Sequence, residues 1–249
     1  MAEFCMKIAG HTAKVTSLFE STPQYFKAYL SDAPPAFSIA VTRENIAFEQ
    51  AALLAEAQRD GFRPRVFTDP FLERAAIQRA FAEYLFPFHI LLVHGSAVAV
   101  DGEGYLFTAH SGTGKSTHTR LWRQVFGDRA VMINDDKPFL ELSADGGRLH
   151  GSPWSGKHGL DANICVPLKG ICILERGKEN QICPASREEA LIMLQKQAYA
   201  PLAEETHPAL LSLLEVLSRQ VPLWKLSCNK EPAAALTAWE ALRRRLSTD

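Results

Sequence analysis

Apolar and polar positions divide the chain into a first part of about 88 residues and a longer second part. In the first part, two short apolar runs predict strands, and two stretches with apolar residues at helical spacing predict helices. The expected strands are residues 6–9 and 37–41, and the expected helices are residues 46–57 and 69–85. Asp69 suits an N-cap, and Pro70 suits the first helical position. We therefore expect a small α/β segment over residues 1–88.

The second part, residues 89–249, alternates strand patterns with helical patterns. Short apolar runs bounded by turn residues predict strands at residues 90–93, 97–100, 105–108, 130–133, 139–142, 148–150, 170–174 and 223–226. Helical spacing predicts helices at residues 115–125, 190–198, 208–219 and 231–245. Ser186 and Glu189 form a capping box before the second of these helices. The expected fold class is α/β.

A glycine-containing loop lies between the strand expected at residues 105–108 and the helix expected to begin at Lys115. Gly112 and Gly114 allow the backbone to turn so that several N–H groups point at one anion. The N-terminus of the helix adds the positive end of its dipole. A strand, a loop and a helix in this order are the context of a phosphate-binding P-loop. Lys115 is then expected to reach the terminal phosphates, and the Ser116 hydroxyl to hold Mg²⁺.

The sequence thus predicts a nucleotide-binding segment. Its residues are Ser111, Gly112, Thr113, Gly114, Lys115, Ser116 and Thr117. The strict P-loop pattern has glycine where this chain has Ala109, so one corner of the loop departs from it. The alternative interpretation is a surface turn that ends in a helix cap.

Two adjacent carboxylates, Asp135 and Asp136, follow the strand expected at residues 130–133. Neighbouring strand residues point to opposite faces, so the two side chains can have different roles. One can organise Mg²⁺, and the other can accept a proton from an incoming hydroxyl. The alternative is one metal-organising acid and one solvated turn residue. His94 could tune a carboxylate as a neutral imidazole, although a structural histidine is the competing interpretation.

Residues 152–159 contain two glycines, a tryptophan, a lysine and a histidine, a composition that suits a binding loop. Lys157 could neutralise a transferring phosphoryl group, and His158 lies beside it. An ordinary connection anchored by Trp154 is equally compatible with these residues. The segment is therefore a candidate substrate or phosphate loop.

Composition excludes several functional classes. The chain has 249 residues, 47% of them apolar, and a net charge of −1, which indicates no nucleic-acid or anionic-membrane partner. Lys7 and His11 interrupt any apolar N-terminal run, and no stretch of about 18 apolar residues exists. We expect a cytoplasmic protein. The five cysteines form no CxxC pair, so reduced, mostly buried thiols are expected rather than disulfides or a zinc site.

The motifs together resemble a known family. His94-Gly95-Ser96, the loop 111–116 and Asp135-Asp136 are similar to the core of HPr kinase/phosphorylase, and to the nucleotide domain of phosphoenolpyruvate carboxykinase. The likeness covers residues 90–176, while flanking segments such as residues 221–226 resemble smaller relatives of that kinase. It implies a P-loop core with a mixed, strongly twisted sheet and flanking helices.

The resemblance also implies roles for individual residues. Asp135 matches the catalytic base, His94 the histidine that supports it, and Lys115 the phosphate-binding lysine. Ser116 matches a Mg²⁺ ligand. The family's second ligand, a glutamate some two dozen residues after the aspartates, is absent. Lys157 and His158 lie nearest to that place, which leaves Asp136 to carry more of the metal. The sequence gives no secure match for the family's later catalytic arginine.

The function expected from sequence is an ATP-dependent kinase that uses Mg²⁺ and transfers a phosphoryl group to a hydroxyl acceptor. The acceptor could be a serine or threonine of a small protein or peptide, or a small metabolite. The alternative is a nucleotide-binding regulatory or scaffold protein with weak hydrolysis. A carboxykinase-like lyase is disfavoured because the chain is short for a further substrate domain. The donor nucleotide, phosphorylase activity and oligomeric state, including a homo-oligomer, stay open.

Overall fold

A computed structural model describes residues 1–59, 61, 63–201, 203 and 206–243. The chain divides into two compact units, Met1–Tyr84 and Leu85–Asp249. The division falls in the last turn of a helix, a few residues before the end of the segment expected over residues 1–88. The end of the helix expected at residues 231–245 lies outside the described residues.

The described residues of the first unit form a small sheet and three α-helices. Its elements are β1 (Ala2–Ile8), β2 (His11–Ser17), α1 (Thr22–Tyr25), β3 (Phe37–Ala40), α2 (Arg43–Arg59) and α3 (Asp69–Leu85). β1 pairs with β2 antiparallel, and β2 pairs with β3 parallel. The carboxylate of Glu73 on α3 is fully buried and accepts hydrogen bonds from Leu18 N–H and the Thr22 hydroxyl. This buried acid is therefore satisfied within the unit.

The second unit is built on a mixed sheet. Its strands are β4 (Ile90–Leu92), β5 (Ser96–Val100), β6 (Glu103–Thr108), β7 (Ala130–Asn134), β8 (Phe139–Ser143), β9 (Gly146–His150), β10 (Cys165–Arg176), β11 (Gln181–Pro184) and β12 (Leu223–Cys228). The main path runs β4-β8-β9-β10-β6-β5-β7, and β12 lies between β10 and β11. β10 pairs antiparallel with β9 through its first residues, then parallel with β6 and β12. The sheet therefore turns along this one long strand.

Four helices flank the sheet in the described part of the second unit. They are α4 (Lys115–Phe126), α5 (Arg187–Gln197), α6 (Thr206–Gln220) and α7 (Ala233–Leu242). Alternate residues of β6 point to opposite faces of the sheet. Leu106 packs in the apolar cluster that includes α5 and α6, whereas Tyr105 and Phe107 pack in the apolar cluster that includes α4 and α7. The expected mixed sheet with flanking helices is thus present.

Most elements expected from the apolar pattern exist, with four main differences. β2, α1 and β11 were not expected, and β10 begins five residues before its predicted start. Ser186 is the N-cap of α5, where its hydroxyl accepts from Glu189 N–H at 3.2 Å. The expectation of mostly buried thiols is wrong, because Cys165 and Cys183 are exposed and only Cys172 is fully buried. Among the described helices, none combines the length and apolar character needed to cross a membrane.

Candidate functional site

The glycine loop, residues 109–114, joins the end of β6 to the start of α4. Gly112 and Gly114 have φ values of 77° and 127°, so both use the left-handed region that favours glycine. Ala109 is fully buried and is not among the residues with positive φ, so replacing the expected glycine there introduces no backbone strain. Gly114 is the N-cap of α4, and the first turn of that helix carries no acidic residue. The free N–H groups of this turn and its dipole therefore favour an anion.

Lys115, the first residue of α4, is buried beneath the loop. Its Nζ donates to the carbonyl of Ala109 at 3.2 Å. Burial lowers the pKa of Lys115, and the carboxylates of Asp136 and Asp135 partly oppose that shift. An ammonium group removed from water interacts more strongly with a nearby anion than one in bulk solvent does.

Asn134, at the end of β7, fixes the two aspartates that follow it. Its Oδ1 accepts from the backbone N–H groups of Asp136 and Lys137 at 2.7 and 2.6 Å. Its Nδ2 donates to the carbonyl of Ser152 at 2.7 Å. The backbone N–H of Asp135 donates to Leu160 O at 3.1 Å. The aspartate pair is thus held between the strand end and the returning segment 152–160.

The two aspartates have different neighbours. Asp135 is 7% exposed, and its Oδ1 accepts from the Ser96 hydroxyl at 2.8 Å. Ser96 in turn lies 2.8 Å from the Thr119 hydroxyl on α4, one turn beyond Ser116. Asp136 is more open, and its Oδ1 lies 3.3 Å from His94 Nε2. The histidine expected to support Asp135 therefore contacts Asp136 instead.

His94 is neutral in this site. Burial, followed by the positive charges of Lys137 and Lys115, lowers its pKa to about 3. At neutral pH the contact with Asp136 is therefore one between an imidazole and a carboxylate, not an ion pair.

The segment after β9 returns across the aspartates. Residues Gly156–His158 form a short 3₁₀ turn, and Lys157 and His158 line the same cavity as Asp136. Gly156 has a φ of 68°, and a Cβ there would lie 3.1 Å from the Asp136 Cβ. Only glycine allows this approach without strain, so the turn and the carboxylate are closely packed.

One cavity of about 390 Å³ collects nearly all the residues predicted from sequence. Those that line it are His94, Ser111, Gly112, Gly114, Lys115, Ser116, Thr117, Asp135, Asp136, Lys157 and His158. Thr113 does not line the cavity, and its backbone N–H donates to His110 O at 3.2 Å. Thr119, Arg120 and Arg123 of α4 also line it, although the sequence analysis did not select them. Their helical spacing after Lys115 is the signal that could have found them.

Arg176, at the end of β10, was also missed. Its Nη2 donates to Gly112 O at 2.5 Å, and its Nε donates to Thr113 O at 3.4 Å. The two bonds tie two loop carbonyls to the end of a strand of the sheet. Because 62 or more residues separate these partners, nothing local in the sequence indicates the contact.

The fold and the cavity define an α/β protein in which a glycine loop, a buried lysine, two aspartates and a neutral histidine meet. The sequence model of one protein family, described as SynChlorMet cassette protein ScmC, matches residues 82–231. This match covers more than half of the 249 residues, and the chain belongs to that family. A comparison with curated proteins finds no match.

Proposed function

We propose that this protein is a P-loop kinase that transfers the terminal phosphoryl group of a nucleoside triphosphate, ATP in the simplest case, to a hydroxyl acceptor. The observation that carries the proposal is the single cavity shared by Lys115, Ser116, Asp135, Asp136 and His94. The likeness of these motifs to HPr kinase/phosphorylase supports the same reaction class.

The residues present fit a Mg²⁺-nucleotide. Two glycines with positive φ, a helix N-terminus without acidic residues and a buried ammonium group suit phosphate oxygens. The Ser116 hydroxyl and the Asp135 carboxylate would hold Mg²⁺, an ion that prefers oxygen ligands. When bound, the metal ion would neutralise charge on the phosphates. Arg120, Arg123 and Lys157 add positive charge to the same cavity.

The contacts favour Asp136 as the general base, whereas the resemblance assigns that role to Asp135. Asp136 is more exposed to the cavity and lies beside neutral His94, which orients it. Asp135 is linked through Ser96 to Thr119, close to the metal-binding side of α4. In the proposed step, Asp136 accepts the proton of the acceptor hydroxyl. The hydroxyl oxygen bonds to the terminal phosphorus, and the bond from that phosphorus to the nucleotide oxygen breaks, which releases the nucleoside diphosphate.

Lys157 is proposed to face the group being transferred. It stands on the turn that packs against Asp136, so a cation and the base would lie on one side of the acceptor. A fixed cation where negative charge develops lowers the barrier of such a reaction. His158, the neighbour of Lys157, would contact the acceptor or the metal from the same turn.

The test is a screen with nucleotide labelled in its terminal phosphate against small proteins, peptides and hydroxylated metabolites, followed by single-turnover rates. Asp136→Asn should lower the transfer rate by about 10²–10⁴-fold, the usual effect of losing a general base, with nucleotide affinity retained. Asp135→Asn should mainly raise the Mg²⁺ concentration required. If Asp135→Asn lowers the transfer rate and Asp136→Asn raises the Mg²⁺ requirement, Asp135 is the general base.

A nucleotide-binding regulator remains the competing function. It would bind nucleotide through the same loop but would tolerate loss of Asp136, the proposed base, without a change in its output. A parent protein that labels no acceptor in the screen, and hydrolyses nucleotide at equal rates with and without Asp136, would overturn the kinase proposal.

A further inference from the structure

A second cluster of reactive side chains lies on β8, β9 and β10 of the sheet. Strand pairing places Glu141 opposite Arg148, and His150 opposite Cys165. Because paired residues share a face and residues two apart on one strand share a face, all four side chains lie on the same side of the sheet. The other side of these strands carries Leu140, Leu149 and Val166, which belong to the apolar core.

The side chains of Glu141 and Cys165 both approach one ring nitrogen of His150. His150 Nε2 lies 2.7 Å from Glu141 Oε2 and 3.7 Å from Cys165 Sγ. Their ligand atoms all lie within 4.8 Å of one another. For tetrahedral zinc with the usual bond lengths, a sulfur and a nitrogen ligand are about 3.6 Å apart, and an oxygen and a nitrogen about 3.3 Å. The distance between Cys165 Sγ and His150 Nε2 already matches the zinc value. Glu141 Oε2 would have to move away from His150 Nε2 by well under 1 Å.

The shared nitrogen argues against a nucleophile–histidine–acid triad. In such a triad the acid and the nucleophile use different ring nitrogens, so that a proton can pass between them. Here the carboxylate and the thiol face the same nitrogen, which is the arrangement of ligands around one ion. A cysteine, a histidine and a carboxylate form a donor set typical of zinc and of other borderline divalent metals.

The backbone around His150 fixes its position. A Cβ on the next residue, Gly151, would come within 1.7 Å of Ala162 O, and Gly151 N–H donates to Ile164 O at 3.0 Å. His150 is 8% exposed, whereas Cys165 is exposed to solvent. The Nε of Arg148 donates to Cys165 Sγ at 3.3 Å, as an outer hydrogen-bond donor to a ligating sulfur would. One ligand is thus held rigidly, and the site opens to solvent on the cysteine side.

The geometry points to a divalent-metal site formed by Glu141, His150 and Cys165, which binds one zinc-class ion with three protein ligands and a fourth position open to solvent. The site lies at the Cys165 end of β10, whereas Arg176, at the other end of the strand, contacts the glycine loop. It is separate from the proposed Mg²⁺ position and uses a softer donor set.

Cobalt tests the site because a cobalt–thiolate bond gives a charge-transfer band that oxygen and nitrogen ligands do not. Metal-free full-length protein is titrated with Co²⁺, then with Zn²⁺. We expect a thiolate charge-transfer band that saturates at one Co²⁺ per chain and disappears when Zn²⁺ replaces it. A parent protein without this band would overturn the proposal.

Matched variants locate the ion. Cys165→Ser should abolish the band, whereas Cys183→Ser, which removes another exposed thiol, should leave it intact. Glu141→Gln should weaken Zn²⁺ binding by at least about tenfold, since even outer-shell changes cost that much. Glu103→Gln, which changes a partly exposed acid on β6 paired with Lys169, is its control. A band that survives in Cys165→Ser, or is lost equally in Cys183→Ser, would contradict the assignment, provided that circular dichroism confirms folded variants.

Discussion

Asn134 shows how a single buried amide can position two charged groups. It is fully buried and uses both ends of its side chain, accepting from two backbone N–H groups and donating to the Ser152 carbonyl. An amide is suited to this place because it carries a donor and an acceptor at a fixed separation. The position of Asp136 therefore depends on a neighbour that takes no part in the chemistry.

Asn134→Asp should destabilise the protein by at least about 2 kcal/mol. The new carboxylate keeps the two acceptor contacts but places a charge against the Ser152 carbonyl, which loses its donor. Urea unfolding measures the change. Asn180→Asp is the control, because Asn180 accepts from Asn229 N–H through its carbonyl oxygen, a contact that aspartate retains. Equal effects of the two substitutions would contradict the role assigned to the Asn134 amide.

His118 on α4 gives a prediction about pH. It is 2% exposed, its Nε2 accepts from Trp122 Nε1 at 3.0 Å, and burial lowers its pKa from 6.5 to about 3. Between these two values the unfolded chain binds a proton that the folded chain does not. The contribution of neutral, buried His118 to the free energy of unfolding is therefore fully present above pH 6.5 and falls as pH decreases toward 3.

From neutral pH to about pH 5, His118 should account for a loss of about 2 kcal/mol of stability. His118→Leu should remove that part of the pH dependence, whatever it does to stability at neutral pH. Urea unfolding of both proteins at several pH values measures the two slopes. Parallel slopes would mean that the folded protein accommodates a charged His118.

At the scale of elements, the sequence predicted those with a continuous apolar pattern best. β4 to β8, α3 and the start of α4 lie where the pattern placed them. β2 was missed because its buried positions, such as Thr12, Ala13 and Ser17, are small or polar. The start of β10 was missed because Pro167 and Lys169 interrupt its apolar run, and its register with β6 shifts between Leu168 and Gly170. Tertiary pairing, not local preference, forms these segments.

The same distinction holds for the site. The glycine loop is one continuous segment, and the two aspartates are neighbours in the sequence. Each motif can therefore be recognised locally, so the loop geometry and the shared cavity could be anticipated. The partners of each aspartate could not, because His94, Ser96 and Thr119 reach them only through the fold. The Glu141, His150 and Cys165 cluster was missed for this reason too, since its ligands come from three strands without the spacing of a metal motif.

The turn Gly156–His158 gives a prediction at this scale. Gly156→Ala and Gly159→Ala each force a side chain into the left-handed region, at a cost of roughly 1–2 kcal/mol. Only the Cβ at residue 156 would meet Asp136, at 3.1 Å, whereas the one at residue 159 has no neighbour within 4 Å. Gly156→Ala should therefore weaken Mg²⁺-nucleotide binding or slow transfer severalfold, and Gly159→Ala should not.

Calorimetric titration with Mg²⁺-nucleotide, beside thermal unfolding, separates the two effects. If both variants lose stability but bind nucleotide like the parent protein and transfer the phosphoryl group at the parent single-turnover rate, the turn does not act through Asp136. If Gly159→Ala is equally impaired in binding, general loosening of the segment explains the result.

At the scale of the whole molecule, the family match and the proposed site coincide. Residues 82–231 span nearly all of the second unit that the structure describes, including every residue that lines the cavity. The first unit, with its own sheet and satisfied buried acid, lies almost entirely outside the match. The proposed chemistry and the proposed metal site both belong to the second unit.

Binding of Mg²⁺-ATP, measured by calorimetry on the full chain and on Lys115→Ala, tests the central claim most directly. The parent protein should bind one nucleotide per chain, and the variant should lose affinity by at least about tenfold, because it lacks the buried cation proposed to contact phosphate. Lys169→Ala, which removes a lysine paired with Glu103 on the surface, should bind like the parent. Unchanged affinity in Lys115→Ala, or no binding by the parent, would contradict a nucleotide site at the glycine loop.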